Sequence, residues 1–104
     1  MELTKDADLV ACCIYREYLN RRKSGISKRE AAGFSQDFYK STDKLSSWSM
    51  DDFLYTLGEL RRAGFVRTYI TGSFGITDQL IIYMESRFKN GFIELTDFIA
   101  KFIP

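Results

Sequence analysis

The chain has 104 residues, enough for one domain with a core of its own. Its fifteen basic side chains nearly cancel its fourteen acidic ones, so the net charge of +1 gives no global reason to expect nucleic acid as a partner. The sequence contains no histidine, no metal-ligand spacing, no glycine-rich phosphate loop and no serine or cysteine placed near a credible base. We therefore expect neither an enzyme nor a bound cofactor or metal.

The two cysteines of the chain are neighbours, Cys12 and Cys13. They lie in a helical pattern, in which adjacent side chains point about 100 degrees apart and cannot readily form a disulfide. A reducing compartment is the default expectation for such a pair. No apolar run is long enough to span a bilayer, and the acidic N-terminal stretch is unlike a signal peptide. The sequence therefore predicts a cytoplasmic protein without a membrane partner.

The first helix is predicted from Thr4 to Lys23, because its apolar residues share one face and its charges follow the helix dipole, acidic at the start and basic at the end. Gly25 ends this helix. Residues 16–29 hold six basic side chains and a single acidic one, Glu17. This cluster has two interpretations: a solvated helix end, or a patch that faces phosphates.

A second, short helix is predicted over residues 28–34, because Ser27 and Glu30 have the spacing of a capping box. Ile26, just before it, is a candidate for a short strand that pairs with a hairpin further along the chain. The polar, serine-rich stretch that follows this helix is predicted as a connection with one more turn of helix around Phe38.

The stretch from Ser49 to Thr77 is predicted to form a helix followed by a two-stranded hairpin. Ser49 has the position of an N-cap, acidic residues follow it, and basic residues precede Gly64 at the other end. The apolar face of this helix consists of Met50, Phe53, Leu54, Leu57 and Leu60. Over residues 65–70 the pattern changes to a roughly alternating, β-rich one, and the chain then turns at residues 71–73 and returns. The predicted fold class is mainly α with a small β-hairpin, that is, α+β.

Two further helices are predicted after the hairpin: the first begins at Thr77 with Asp78, and the second covers residues 92–104. Its apolar face is wider than the stripe of roughly 100 degrees that packing onto one core requires. We expect this face to form a homodimer, because monomers rarely expose so large an apolar surface. The predicted interface residues are Phe92, Leu95, Phe98, Ile99 and Phe102, with Ile103 on the same face. The alternative is that the first and fourth helices cover this face within one chain.

The predicted elements have the order of a winged helix-turn-helix: helix, short strand, short helix, capped helix and hairpin. The segments LxELRRAGFV at residues 57–66 and GITDQLIIYMESRF at residues 75–88 carry a further likeness. They resemble a passage of small bacterial winged-helix proteins, notably the YjcQ-like family of Gram-positive bacteria and their phages and, more distantly, the PadR and MarR regulators. The resemblance covers residues 26–90. It implies a single domain, with the helix-turn-helix and wing at residues 26–77 and extra C-terminal helices at residues 78–104.

The resemblance implies a small transcriptional regulator that binds double-stranded DNA, with residues 49–63 as the recognition helix and residues 66–77 as the wing. Basic side chains would contact phosphates, and side chains of the recognition helix would contact base edges. The predicted phosphate contacts are Lys28, Arg29, Lys40, Lys44 and Arg62, and the predicted base contacts are Tyr55 and Thr56.

Two features depart from this DNA-binding pattern. The wing tip, residues 71–73, has no lysine or arginine that could reach a minor groove, and the recognition helix carries Asp51, Asp52 and Glu59 on its exposed face. The alternative function is a winged helix used as a protein-interaction module, for example in a phage or plasmid accessory protein. A continuous positive face across the second helix, the third helix and the wing favours DNA, whereas a patchwork of charges favours a protein partner.

Overall fold

The computed structural model describes residues 2–102, which are mainly helical with one small antiparallel sheet, in agreement with the predicted α+β class. The elements in chain order are α1 Lys5–Lys23, α2 Lys28–Ala31, β1 Gly33–Phe34, a 3-10 helix Gln36–Ser41, α3 Met50–Arg62, β2 Val66–Thr68, β3 Phe74–Ile76, α4 Asp78–Arg87 and α5 Phe92–Ala100. Met1, Ile103 and Pro104 lie outside the described residues. The fifth helix, predicted over residues 92–104, ends at Ala100 and is therefore shorter than predicted. Within residues 2–102, no helix has both the length and the apolar character that crossing a bilayer needs.

The helices begin where the sequence supplies capping side chains. Thr4, Ser27, Ser49 and Thr77 each accept, through the side-chain oxygen, a hydrogen bond from the backbone N–H three residues ahead. The predicted starts of α1, α3 and α4 are therefore confirmed. The second helix is shorter than predicted, because α2 ends at Ala31 after a single turn.

The third strand of the sheet comes from a different place than predicted. Ile26 forms no strand; its carbonyl oxygen accepts a hydrogen bond from the Arg22 guanidinium at 3.0 Å, which ties it to the end of α1. Strand β1 is instead Gly33–Phe34, and the strand order is β1-β3-β2. The Phe34 ring stacks on Phe74 of β3 with 5.3 Å between the centroids, so aromatic packing favours this pairing.

The predicted hairpin is confirmed, since strands β2 and β3 lie on either side of Gly72. Gly72 has a φ of +91°, a conformation that glycine adopts at little cost. The side chain of Gln36, from the 3-10 helix, lies against the position that a β-carbon of residue 72 would occupy. The turn therefore favours glycine for its backbone conformation, and a side chain at residue 72 would also have to displace the end of the flexible Gln36 side chain.

Helix α1 is the centre of the core and packs against α2, α3, α4 and α5. Arg87 of α4 joins it through a bidentate ion pair with Asp8, with N–O distances of 2.5 and 3.0 Å. The same guanidinium lies 4.9 Å from the ring centroid of Phe88 and 4.6 Å from that of Phe98. The hydrogen bonds to Asp8 raise the pKa of Arg87 above its ordinary value. One charged side chain thus connects α1, α4 and α5.

The buried face of α3 is rotated relative to the predicted one. Phe53, Leu57 and Leu60 are buried as predicted, but Leu54 is 40% exposed. Thr56 is buried in its place at 6% exposure, and its hydroxyl donates a 2.8 Å hydrogen bond to the Asp52 carbonyl. Because of this bond, burial of the Thr56 hydroxyl does not leave an unpaired polar group. Met50, also expected on the apolar face, is likewise exposed, at 37%.

Candidate interaction surfaces

The outward face of α3, the predicted recognition surface, combines acidic and apolar side chains. Asp51 and Asp52 are exposed in its first turn, and Tyr55 is 77% exposed beside the 40% exposed Leu54. Glu59 accepts hydrogen bonds from the backbone N–H and the hydroxyl of Thr4, at 2.9 and 2.7 Å, so it also links α3 to the start of α1.

Two of the predicted nucleic-acid contacts are placed elsewhere by the structure. Thr56 is only 6% exposed and its hydroxyl already donates to the Asp52 carbonyl oxygen, so the structure contradicts its prediction as a base contact. Lys44 is half-buried and its Nζ donates a 2.7 Å hydrogen bond to the carbonyl oxygen of Phe102. This ammonium holds the segment after α5 and is not presented as a free phosphate contact.

The other predicted cations remain at the surface but are dispersed. Lys40 pairs with Asp37 in the 3-10 helix at 3.4 Å, and Lys28 pairs with Asp78 at the start of α4 at 3.5 Å. Arg62 is exposed in the last turn of α3. Exposed pairs of this kind are weak, since solvent screens them, so each lysine keeps most of its freedom to meet another anion.

Lys28 and Arg29 share a cleft of about 620 Å³ with Arg67, a residue that the sequence analysis did not select. The cleft lies on the outer face of the sheet. In the sheet Arg67 is the partner of Gly75, and Gly75 is also the partner of Gly33. Because the two glycines have no side chains, the outer face of the sheet is shallow beside Arg67. The three cations gather around that low surface.

The hairpin tip adds no charge to these surfaces. Between Tyr69 and Ser73 the chain carries no ionisable side chain other than the Tyr69 phenol, and Ile70 is fully exposed. The hydroxyls of Thr71 and Ser73 are hydrogen-bonded to each other at 2.9 Å. Positive charge therefore does not run continuously from α2 over α3 to the hairpin; it lies on the outer face of the sheet, while α3 presents carboxylates.

The predicted dimer face of α5 is largely interior. Leu95 and Ile99 are buried at 0% and 1% exposure, in the core that α5 forms with α1, so their assignment to a dimer interface is wrong. The Phe98 ring packs against Phe88 at 5.4 Å and Phe102 at 5.3 Å. Phe92 is only partly exposed as well. The wide apolar face divides into a buried centre and aromatic flanks that contact each other.

The cysteines are free, as predicted, and both are buried in α1. Burial raises the pKa of Cys12 to about 12 and that of Cys13 to about 11. A thiol that stays protonated is a poor nucleophile and metal ligand. In the part of the chain that the structure describes, no three histidine, cysteine or acidic side chains are grouped in a way that could hold a metal ion.

Comparison of the chain with models of protein families, with curated proteins and with solved structures finds no match. The resemblance to the YjcQ-like proteins, and the winged helix that it implies, therefore stay predictions from the sequence.

Proposed function

We propose that this chain is a winged helix-turn-helix module whose main role is to bind a protein partner through the outward face of α3. The order of its elements supports a winged helix: the long helix α1 and the one-turn helix α2 are followed by strand β1, the 3-10 helix, the capped helix α3 and the β2–β3 hairpin. In this assignment the 3-10 helix takes the place of the second helix, and β1 takes the place that the sequence analysis gave to Ile26.

The observation that carries this proposal is the composition of the exposed face of α3. A helix that enters a groove of DNA lies between two rows of phosphates, where Asp51 and Asp52 would meet like charge. A protein surface has no such requirement. Tyrosine is among the side chains that contribute most to protein interfaces, and the 77% exposed Tyr55 stands beside the partly exposed Leu54 and Met50. Charges on this side form a patchwork, which favours a protein partner.

The proposal is tested by replacing Tyr55 with a photoreactive phenylalanine analogue in the cells that naturally make the protein. We expect a discrete cross-linked protein from this position, and none from the matched exposed position Ser86 on α4. A second variant, Asp51→Lys with Asp52→Lys, should reduce the yield because it reverses the charge of the surface. Equal products from Tyr55 and Ser86, or products that the charge reversal leaves unchanged, would contradict the proposal.

Binding of double-stranded DNA is the second candidate function. It is supported by the cations around the outer-face cleft, Lys28, Arg29 and Arg67. Cations that neutralise phosphates make the affinity depend on salt: each contact adds about 0.9 to the steepness with which log K falls as log salt concentration rises. The test is fluorescence anisotropy with a duplex from the protein's own upstream region at two salt concentrations. Replacing Lys28 and Arg29 by alanine should weaken binding to all sequences and reduce the slope by about two. Lys89→Ala is the control, and an unchanged slope in the double variant would remove this cleft from any DNA site.

Self-association on α5 stays a prediction, now restricted to the partly exposed rings of Phe92, Phe98 and Phe102. Its support is weaker than the sequence implied, because the aliphatic centre of the face is covered within the chain.

A further inference from the structure

The two outer edges of the sheet differ in how their backbone groups are satisfied. At the β1 edge, the carbonyl oxygen of Gly33 accepts a 2.6 Å hydrogen bond from Nη1 of Arg21, which also reaches the Ala31 carbonyl at 3.3 Å. The same guanidinium lies 4.2 Å from the ring centroid of Phe34. A side chain of α1 therefore covers this edge.

The β2 edge is open, and the hydrogen-bond pattern shows which groups it presents. Tyr69 donates from its backbone N–H to Ser73 at 3.0 Å, and Thr77 donates to Phe65 at 3.1 Å. In an antiparallel ladder every second residue bonds to its neighbour strand, so the odd-numbered residues of β2 face β3 and the even-numbered ones face outward.

The outward residues are Val66 and Thr68, each with one N–H and one C=O on the free side of the strand. Among residues 2–102, no hydrogen bond outside the helices and the ladder reaches these four groups. An edge of this kind is a template for another strand unless a side chain or a loop covers it. Thr68 is exposed, so its end of the edge is accessible to a partner, whereas Val66 is only 2% exposed.

A groove of about 720 Å³ lies along this strand, and its charge is positive. Arg61 from the last turn of α3 and Arg67 from β2 both line it. The lining holds one carboxylate, Asp78, which pairs with Lys28 at 3.5 Å. The neighbouring outer-face cleft, which shares Arg67 with the groove, adds Arg29. Cations thus exceed carboxylates around the open edge.

We propose that β2 binds an acidic, extended segment of a protein partner as a fourth strand of the sheet. Backbone groups of the segment would pair with the exposed N–H and C=O of Thr68, and its carboxylates would meet Arg61 and Arg67, where charge-assisted hydrogen bonds are available. This inference rests on the proposed protein-binding function and adds a second contact surface, of stated chemistry, to the face of α3. The β1 edge is excluded, because Arg21 already occupies its outward carbonyl.

The experiment is an NMR titration of the 15N-labelled full chain with a capped eight-residue peptide that alternates glutamate and valine. We expect the largest shift change at the amide of Thr68, and slower hydrogen exchange there as the peptide saturates the edge. A peptide with lysine in place of glutamate should bind about tenfold more weakly or not at all. A glutamate peptide N-methylated at alternate residues, which cannot complete the ladder, should also fail.

Variants of the protein test the two parts of the contact separately. Thr68→Pro removes an outward N–H without touching the ladder to β3, and it should abolish binding. Arg61→Gln with Arg67→Gln should weaken binding about three- to tenfold, whereas Arg62→Gln, the same change on the outward face of α3, should leave it unchanged.

The inference would be overturned by no shift at the β2 amides with millimolar peptide, by equal binding of the acidic and basic peptides, or by shifts confined to α3. In the last case the β2 site fails while the proposed function stands. If cross-linking from Tyr55 fails while the peptide binds β2, the proposed role of the α3 face fails and the β2 site stands. Pairing of two copies through β2, detected as a dimer mass that Thr68→Pro abolishes, would also overturn it.

Discussion

The side of the molecule formed by α1, α4 and α5 differs from the side formed by α3 and β2 in how its groups are satisfied. On the first side Arg87 pairs with Asp8 and stacks on two rings, and Leu95 is fully buried. On the second side Tyr55 is largely exposed, and the outward backbone groups of the exposed Thr68 make no hydrogen bond among residues 2–102. The first side thus satisfies most of its groups within the chain, with the buried Thr96 hydroxyl of α5 as an exception among the described residues, and the second retains groups that a partner can satisfy.

This difference weakens the support for the apolar C-terminal helix as the interaction surface, although self-association through its partly exposed rings stays a prediction. Apolar content alone does not mark an interface, because a helix of one chain can pack against several neighbours of that chain. Exposed side chains and unpaired backbone groups are the better indicators of a surface that binds something. Substitutions on the two sides should therefore have different consequences, large for stability on the first and small on the second.

The largest effect is expected from Leu95→Ala in α5. Loss of a fully buried leucine should lower the free energy of unfolding by about 3 kcal/mol, because the side chain leaves a cavity against α1. Ile93→Ala, on the same helix at 72% exposure, should cost less than about 0.5 kcal/mol. Urea unfolding measures both. Sedimentation equilibrium of the wild-type chain at micromolar concentration extends the comparison. A dimer mass that Phe98→Asp dissociates without unfolding the protein would show that the side formed by α1, α4 and α5 also binds a partner.

Asp8→Ala should lower the free energy of unfolding by about 2 kcal/mol, since it leaves the partly buried Arg87 guanidinium without its carboxylate. Asp6→Ala removes an exposed carboxylate from the same first turn of α1 and is the matched control. Thermal and urea unfolding at neutral pH provide the readout. Equal effects of the two substitutions would mean that the ion pair adds nothing beyond the helix dipole.

The buried thiols predict a loss of stability in alkaline solution. The ordinary pKa of a cysteine here is 9.0, and burial raises that of Cys12 to about 12 and that of Cys13 to about 11. Above pH 9 the unfolded chain loses these protons while the folded chain keeps them, so their contribution is complete below pH 9 and declines toward pH 11. In this range the free energy of unfolding should fall by up to about 1.4 kcal/mol per pH unit for each thiol. Unfolding at pH 8 to 10 measures it, and an equal slope in Cys12→Ala with Cys13→Ala would contradict this origin.

The two sheet edges give the smallest expected effect. Arg21→Met keeps the apolar stem near Phe34 but removes the hydrogen bonds to the β1 edge, and it should cost about 1 kcal/mol. Arg67→Met, at the β2 edge, should change stability by less than about 0.5 kcal/mol, because Arg67 makes no ion pair among the described residues. Amide exchange should accelerate in β1 only for the first variant. Equal exchange in both would mean that the edges do not differ.

Local signals in the sequence were sufficient for much of the fold. Thr4, Ser49 and Thr77 begin helices because their side chains satisfy backbone groups a few residues ahead, a contact that needs no tertiary structure. Gly72 marks the hairpin for a similar reason, since its backbone conformation favours glycine wherever the turn lies. Arg67 was within reach of the same kind of reasoning, because alternation along β2 places it on the face opposite Val66.

The remaining features depended on contacts between residues far apart in the chain. The sequence by itself determined the helices, the hairpin and the mainly α class, because these follow from neighbours within about four residues. Only the tertiary structure decided that Gly33 and not Ile26 lies in the sheet, that Thr56 is buried while Leu54 is exposed, and that α1 covers Leu95. Periodicity gives the width of an apolar face but not the number of elements that pack on it. For that physical reason, the surfaces left open for a partner could be recognised only in the folded chain.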